Sequence, residues 1–232
     1  MVMEEIYQPK NKIRFVTATS LFDGHDAAIN IFRRILQASG AEVIHLGHNR
    51  SGREIVEAAI EEDAQGIAVS CYQGGHMEFF KYIIDLLRVE GASHIRVFGG
   101  GGGVIIPEEA RELECYGVCK IFTPEDGRVM GLKGIVNYML EQTDFLTFDG
   151  EPEKLVNELA PERKRVIAKV ISAVEYFKAL EDGHLAKLRA EIEKRLKGGK
   201  VPVVGITGTG GSGKSSLTDE LVQRLLNDIS EV

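Results

Sequence analysis

Ile13-Arg14-Phe15-Val16-Thr17-Ala18-Thr19-Ser20-Leu21-Phe22-Asp23-Gly24-His25-Asp26 sets the fold. A β-branched, apolar run reaches Ala18, a polar loop follows, and Asp26 stands ahead of Ile29, Phe32, Ile35 and Leu36 at helical spacing. A buried strand, a loop and an amphipathic helix make the first half of a β-α-β unit, with Asp26 placed to cap the helix.

Outward from there the pattern repeats. Strands are expected at Ile13–Ala18, Glu42–Leu46, Gly66–Ser70, Ile95–Phe98 and Val118–Phe122. Ser51 should cap the second helix, with Ile55, Ala59 and Ile60 facing inward. His76 begins a third, through Phe79, Phe80, Ile83, Ile84 and Leu87. Pro107 opens a fourth with Glu108 and Glu109 in its first turn, where the helix dipole favours acids, and a fifth spans about Gly127 to Leu140. Five strands alternating with five helices predict a flavodoxin-like, doubly wound, five-stranded parallel sheet covered on both faces. Ligands on such a sheet bind beyond the carboxyl ends of its strands.

The 232 residues, 44% apolar and 27% charged with a net charge of -7, have an ordinary globular make-up. That balance argues against a nucleic-acid surface. Acids at Glu4 and Glu5, and no apolar run near the roughly 20 residues that span a bilayer, point to no membrane role and a cytoplasmic protein. Cys71, Cys115 and Cys119 lack zinc-type spacing and are read as packing residues.

Residues 149–199 turn rich in Lys, Arg and Glu. Val166, Ile167, Val170, Ile171, Val174 and Phe177 form one helical stripe, and Leu185, Leu188, Ile192 and Leu196 another, up to Gly198-Gly199. They read as a helical linker or as an extension packed on the first domain.

The loop after the first strand puts Asp23 and His25 at the ligand edge. An imidazole is a good ligand for a borderline metal, a carboxylate on its other ring nitrogen fixes the tautomer, and Gly24 should let the backbone turn. After the third strand comes Ser70-Cys71-Tyr72-Gln73-Gly74-Gly75-His76, and after the fourth, Gly99 to Gly103. Consecutive glycines lose much entropy on folding, so a bulky ligand lying against the backbone is expected there. His76 is placed to touch such a ligand; His45, His48 and His94 are read as ordinary polar residues.

Gly208-Thr209-Gly210-Gly211-Ser212-Gly213-Lys214-Ser215-Ser216 fits the Gly-x-x-x-x-Gly-Lys-Ser pattern of a phosphate-binding P-loop. An expected strand, Val203–Thr207 with Pro202 at its start, precedes it, and a helix with Leu217, Leu221, Leu225 and Leu226 in register follows. Backbone N–H groups of Gly208, Gly210, Gly211, Ser212, Gly213 and Ser216 are expected around the phosphates. Lys214 should reach the β and γ groups and Ser215 hold Mg²⁺. The division expected is a ligand-binding domain at 1–148, a linker at 149–199 and, at 200–232, the truncated start of a P-loop NTPase domain, so the sequence reads as an N-terminal fragment.

Asp23-x-His25, Ser70 and Gly99-Gly100 resemble the three-part signature of the cobalamin-binding domain in base-off, histidine-on mutases. Ala28 stands at that motif's final Gly and Tyr72 at its Leu, and Thr19 replaces a lysine that some members carry. The resemblance implies that His25 is the axial ligand to cobalt, oriented by Asp23. The cofactor's tail would then lie in a channel lined by Ser70, Tyr72 and the glycine run, Gly99 to Gly101 included, with Thr123 and Pro124 near its end, and Gly24, Asp26 and Gly74 are the further cofactor-binding residues it implies. With the P-loop added, the whole chain resembles acyl-CoA mutases fused to a G-protein chaperone. This implies adenosylcobalamin and GTP with Mg²⁺ as cofactors, and an acyl-CoA substrate held by a barrel outside these residues. It also implies radical interconversion of isobutyryl-CoA and n-butyryl-CoA, and a homodimer. A corrinoid carrier for methyl transfer and a stand-alone cobalamin chaperone or sensor NTPase remain as alternatives.

Overall fold

The computed structural model describes residues 7–148, 152–180, 183–195 and 203–228; Leu196, Gly198, Gly199 and Pro202 lie outside them. Strands β1 (Arg14–Ser20), β2 (Glu42–Arg50), β3 (Gly66–Ser70), β4 (Arg96–Gly100) and β5 (Lys120–Phe122) form one sheet in the order β2-β1-β3-β4-β5. Every pairing in it is parallel, as β-α-β crossovers require. The chain runs outward from β1 to β2 and then returns past β1 to β3, so the order reverses between β1 and β3. The loops after these two strands therefore part and leave a crevice at the carboxyl edge.

Side chains alternate between the two faces with the strand period of two. Val16, Ala18, Ile67, Val69 and Val97 enter one core with Ile55, Phe80, Ile83 and Leu113. Phe15, Ala68 and Phe98 enter the other with Ile29, Leu36, Ile135 and Leu140. Helices α2 (Gly52–Glu61), α3 (His76–Val89) and α4 (Pro107–Tyr116) build the first core, and α1 (Ala27–Ala38) and α5 (Pro124–Thr143) the second. Ser51 caps α2 in a reciprocal box with Glu54.

Two helix starts differ from expectation. Asp26 occupies the cap position of α1 but already has helical backbone angles, and its side chain makes no capping bond. Helix α5 begins at Pro124 rather than near Gly127, because Thr123 and Asp126 cap it reciprocally and proline suits the first turn. Gly131 (φ 64°) then kinks α5.

The chain divides into two compact units, the first reaching Glu193. Helices α6 (Pro152–Asn157), α7 (Lys164–Leu180) and most of α8 (His184–Arg195) thus fall within the first unit. Around them Phe148, Val156, Ala173, Phe177 and Leu188 form a third core. Arg14 ties α7 to the sheet by donating to Ser172 Oγ at 2.7 Å and pairing with Glu175, while Lys164 reaches Glu61 at 2.6 Å. Ile171, read from the sequence as part of the buried stripe, faces outward.

The second unit departs most from expectation. Residues 203–207 make no strand; a strand exists by pairing, and the described residues offer it no neighbour. Helix α9 (Lys214–Asp228) does form, yet none of its residues is buried, and Leu217, Leu221, Val222, Leu225 and Leu226 stand exposed. No helix among the described residues is long and apolar enough to cross a membrane.

Candidate functional site

The crevice between β1 and β3 is where the sequence places its metal ligand. Asp23 is buried, and its Oδ1 accepts both the His25 backbone N–H at 2.9 Å and the ring Nδ1–H at 2.7 Å. Its Oδ2 accepts the backbone N–H of Tyr72 from the loop after β3. Burial pushes the Asp23 carboxyl up, but these hydrogen bonds outweigh it and hold the group below the usual carboxylate range. A carboxylate that only accepts leaves the proton on Nδ1, so Nε2 keeps its lone pair. The His25 side chain is 75% exposed. Ser70 Oγ donates to the His25 carbonyl at 3.3 Å, and the Tyr72 ring stands 5.5 Å from the imidazole.

The loop turns at a residue the sequence did not single out. Phe22 takes left-handed backbone angles (φ 62°), and its N–H donates to Asn49 Oδ1 at 2.8 Å. Gly24 has no such φ, and a Cβ there would meet nothing within 4 Å. Its missing side chain leaves open space beside His25 rather than making the turn.

Beside Tyr72 lies a cavity of about 300 Å³ between α1, α5 and the ends of β3 and β4. Ala28, Ile29 and Phe32 wall one side and Leu132, Ile135 and Met139 another, with Ser70, Gly99 to Gly102, Thr123 and Pro124 between them. Periodicity had marked Ile29 and Phe32 as core; they serve as core and wall together. The glycines also answer to packing. A Cβ at Gly99 would come within 2.4 Å of the Phe80 ring, one at Gly101 within 2.1 Å of the Cys71 carbonyl, and one at Gly102 within 2.9 Å of the Tyr72 ring. Gly103 alone of the run has free space.

Gly74 and Asp26 do not line the cavity. His76, expected to touch the ligand, is buried and turned to Glu109 Oε2 at 2.9 Å, joining the loop after β3 to the start of α4. Cys71 is buried, whereas Cys115 is exposed. Thr19 is fully buried, with a hydroxyl that has no partner.

In the second unit Gly211 and Gly213 take positive φ (74° and 79°), which shapes a turn of backbone before α9. Lys214 Nζ donates to the carbonyls of Gly208 at 2.9 Å and Thr209 at 2.6 Å, across its own loop.

The chemistry of the first site is specific. A lone imidazole held by a buried carboxylate gives a metal one ligand, so a metal bound there brings its others with it. A long apolar cavity alongside, floored by backbone without Cβ atoms, admits a bulky appendage. These residues fit a cobalt macrocycle with a tail. The B12 binding domain family matches residues 13–133, and the chain belongs to that family. Over 232 residues it is 60% identical to the fused isobutyryl-CoA mutase of Geobacillus kaustophilus (strain HTA426), covering 99% of this chain and 21% of that protein. The fused isobutyryl-CoA mutase of Cupriavidus metallidurans is 57% identical over 220 residues, 95% of this chain and 20% of that protein. The 2-hydroxyisobutanoyl-CoA mutase small subunit of Aquincola tertiaricarbonis is 32% identical over 127 residues, 53% of this chain and 92% of that one. The chain thus spans about a fifth of the length of the fused mutases it resembles.

Proposed function

We propose that this chain carries adenosylcobalamin with His25 Nε2 on cobalt in place of the cofactor's own benzimidazole, as the cofactor-binding part of an acyl-CoA mutase. The observation that carries the reading is the Asp23–His25 bond of 2.7 Å, which engages Nδ1 and leaves Nε2 of an exposed imidazole without that partner. When bound, the cofactor supplies the radical carbon-skeleton chemistry. The residues of this chain bind and orient. Asp23 holds the proton on Nδ1 and keeps the ring basic, and Tyr72 flanks the imidazole. The cavity beside Ser70, Gly100, Gly101, Thr123 and Pro124 takes the displaced tail and shields it from water.

The names of the relatives support isobutyryl-CoA as the substrate; its interconversion with n-butyryl-CoA and an acyl-CoA held outside these residues belong to the same reading. Residues 208–216 are read as a P-loop for GTP with Mg²⁺ on Ser215, which gates cofactor loading. The division at 1–148, 149–199 and 200–232, a homodimer and a cytoplasmic location belong to the same reading.

The test is direct. Adenosylcobalamin added to the protein carrying these 232 residues should lose the absorption of the base-on form, and His25→Ala should bind at least a hundredfold more weakly with its melting temperature unchanged. Turnover of isobutyryl-CoA by the loaded protein separates a mutase from a methyl carrier. Base-on absorption retained by the bound wild type would end the histidine-ligation reading.

A further inference from the structure

Phe22 is an aromatic side chain that is 85% exposed, directly before Asp23. Its backbone is left-handed (φ 62°), a region that a bulky residue enters only when something holds it there. What holds it is Asn49 at the end of β2, whose Oδ1 takes the Phe22 N–H at 2.8 Å and which is itself left-handed (φ 57°). Two non-glycine residues in that conformation, latched to each other, present a ring that gains little packing within this chain. A glycine would make the same turn without strain, so a reward for the ring must come from a ligand.

The placement says which ligand. Along the carboxyl edge the strands run β2, β1, β3. Tyr72, after β3, flanks His25 on one side. Phe22 is latched through its backbone to β2, the strand on the opposite side of β1 from β3. A macrocycle held at its centre by His25 Nε2 is far wider than an imidazole and overhangs both sides.

We propose that Phe22 is a positioning contact for the lower face of the corrin ring on the β2 side of His25, paired with Tyr72 on the β3 side. This rests on the cobalamin reading above. The Asn49 latch sets the height and direction of the ring, so the macrocycle meets two aromatic supports and one nitrogen.

Adenosylcobalamin titrated into the protein carrying these residues, followed by absorbance, tests this. Phe22→Ala and Phe22→Gly should each weaken binding about tenfold, equivalent to about 1.4 kcal/mol, while the bound spectrum keeps its histidine-ligated form. Phe22→Gly should also melt, without cofactor, at or above the wild-type temperature, since strain is relieved. Phe22→Trp should bind within about twofold of wild type. Unchanged affinity in Phe22→Ala, with binding lost in His25→Ala, would overturn the Phe22 contact and leave histidine ligation standing. Unchanged affinity in His25→Ala would overturn the ligation reading and this inference with it.

Discussion

The loop after β1 and the loop before α9 each carry a glycine-bearing motif that leads into a helix, and they differ in what stands behind them. Behind Asp23 and His25 lie two cores of buried side chains and a neighbouring strand whose loop donates to the same carboxylate. Behind Lys214 lies a helix with no buried residue and a valine pair, Val203 and Val204, open to solvent. A motif specifies chemistry only where a scaffold fixes its groups. The first loop is finished by residues distant in sequence, and the second has turned its lysine onto its own carbonyls.

The widest separation between the regions is in packing. Leu36→Ala, at a fully buried position of α1, should cost about 2–5 kcal/mol in denaturant unfolding. Leu221→Ala, on the exposed face of α9, should stay within about 0.5 kcal/mol. A comparable loss at Leu221 would mean that α9 is covered.

This contrast marks what the sequence could tell. The strands at 42–46, 66–70 and 96–98 were legible because β-branched runs also found partners in the sheet. Val203–Thr207 has the same composition, and composition alone does not pair a strand. Asp23 and His25 were legible as a bonded pair because a carboxylate two residues from an imidazole reaches it locally. The turn at Phe22 was not, since φ is not written in a phenylalanine and Gly24 offered an easier explanation. Thr123-Pro124-Glu125-Asp126 did carry a capping signal for the true start of α5, in residues read instead as the end of the ligand's channel.

The next expected effect sharpens the first site itself. Asp23→Asn keeps an acceptor for the His25 ring but loses the carboxylate charge beside it, and should weaken adenosylcobalamin binding about 10–100-fold in absorbance titrations. A smaller loss would assign Asp23 to loop folding alone.

Glycines give a third contrast. Gly101→Ala must displace the Cys71 carbonyl at 2.1 Å and should cost about 1–3 kcal/mol by thermal melting. Gly210→Ala, with nothing within 4 Å, should leave stability unchanged. Equal costs would show the loop before α9 to be as closely packed as the glycine run after β4.

The last expected effect is a pH slope confined to the first unit. Burial, and then the charges of Lys169, Arg165 and Arg96, push His94 down from 6.5 to about 4. The unfolded chain takes up this proton below pH 6.5 while the folded one resists until about pH 4. Stability from this group is therefore full above the higher value and is lost as pH falls toward the lower. Melting from pH 7 to pH 4 should show that loss, and His94→Gln should flatten it. A wild-type slope in the variant would place the titration elsewhere.

One bond holds the account together, from imidazole nitrogen to cobalt. Reduced to cob(II)alamin and bound to protein labelled with ¹⁵N-histidine, the metal should show EPR hyperfine splitting from a ¹⁵N nucleus, lost in His25→Ala. Splitting from ¹⁴N alone, unaltered by the label, would place the cofactor's own base on the metal and contradict the account.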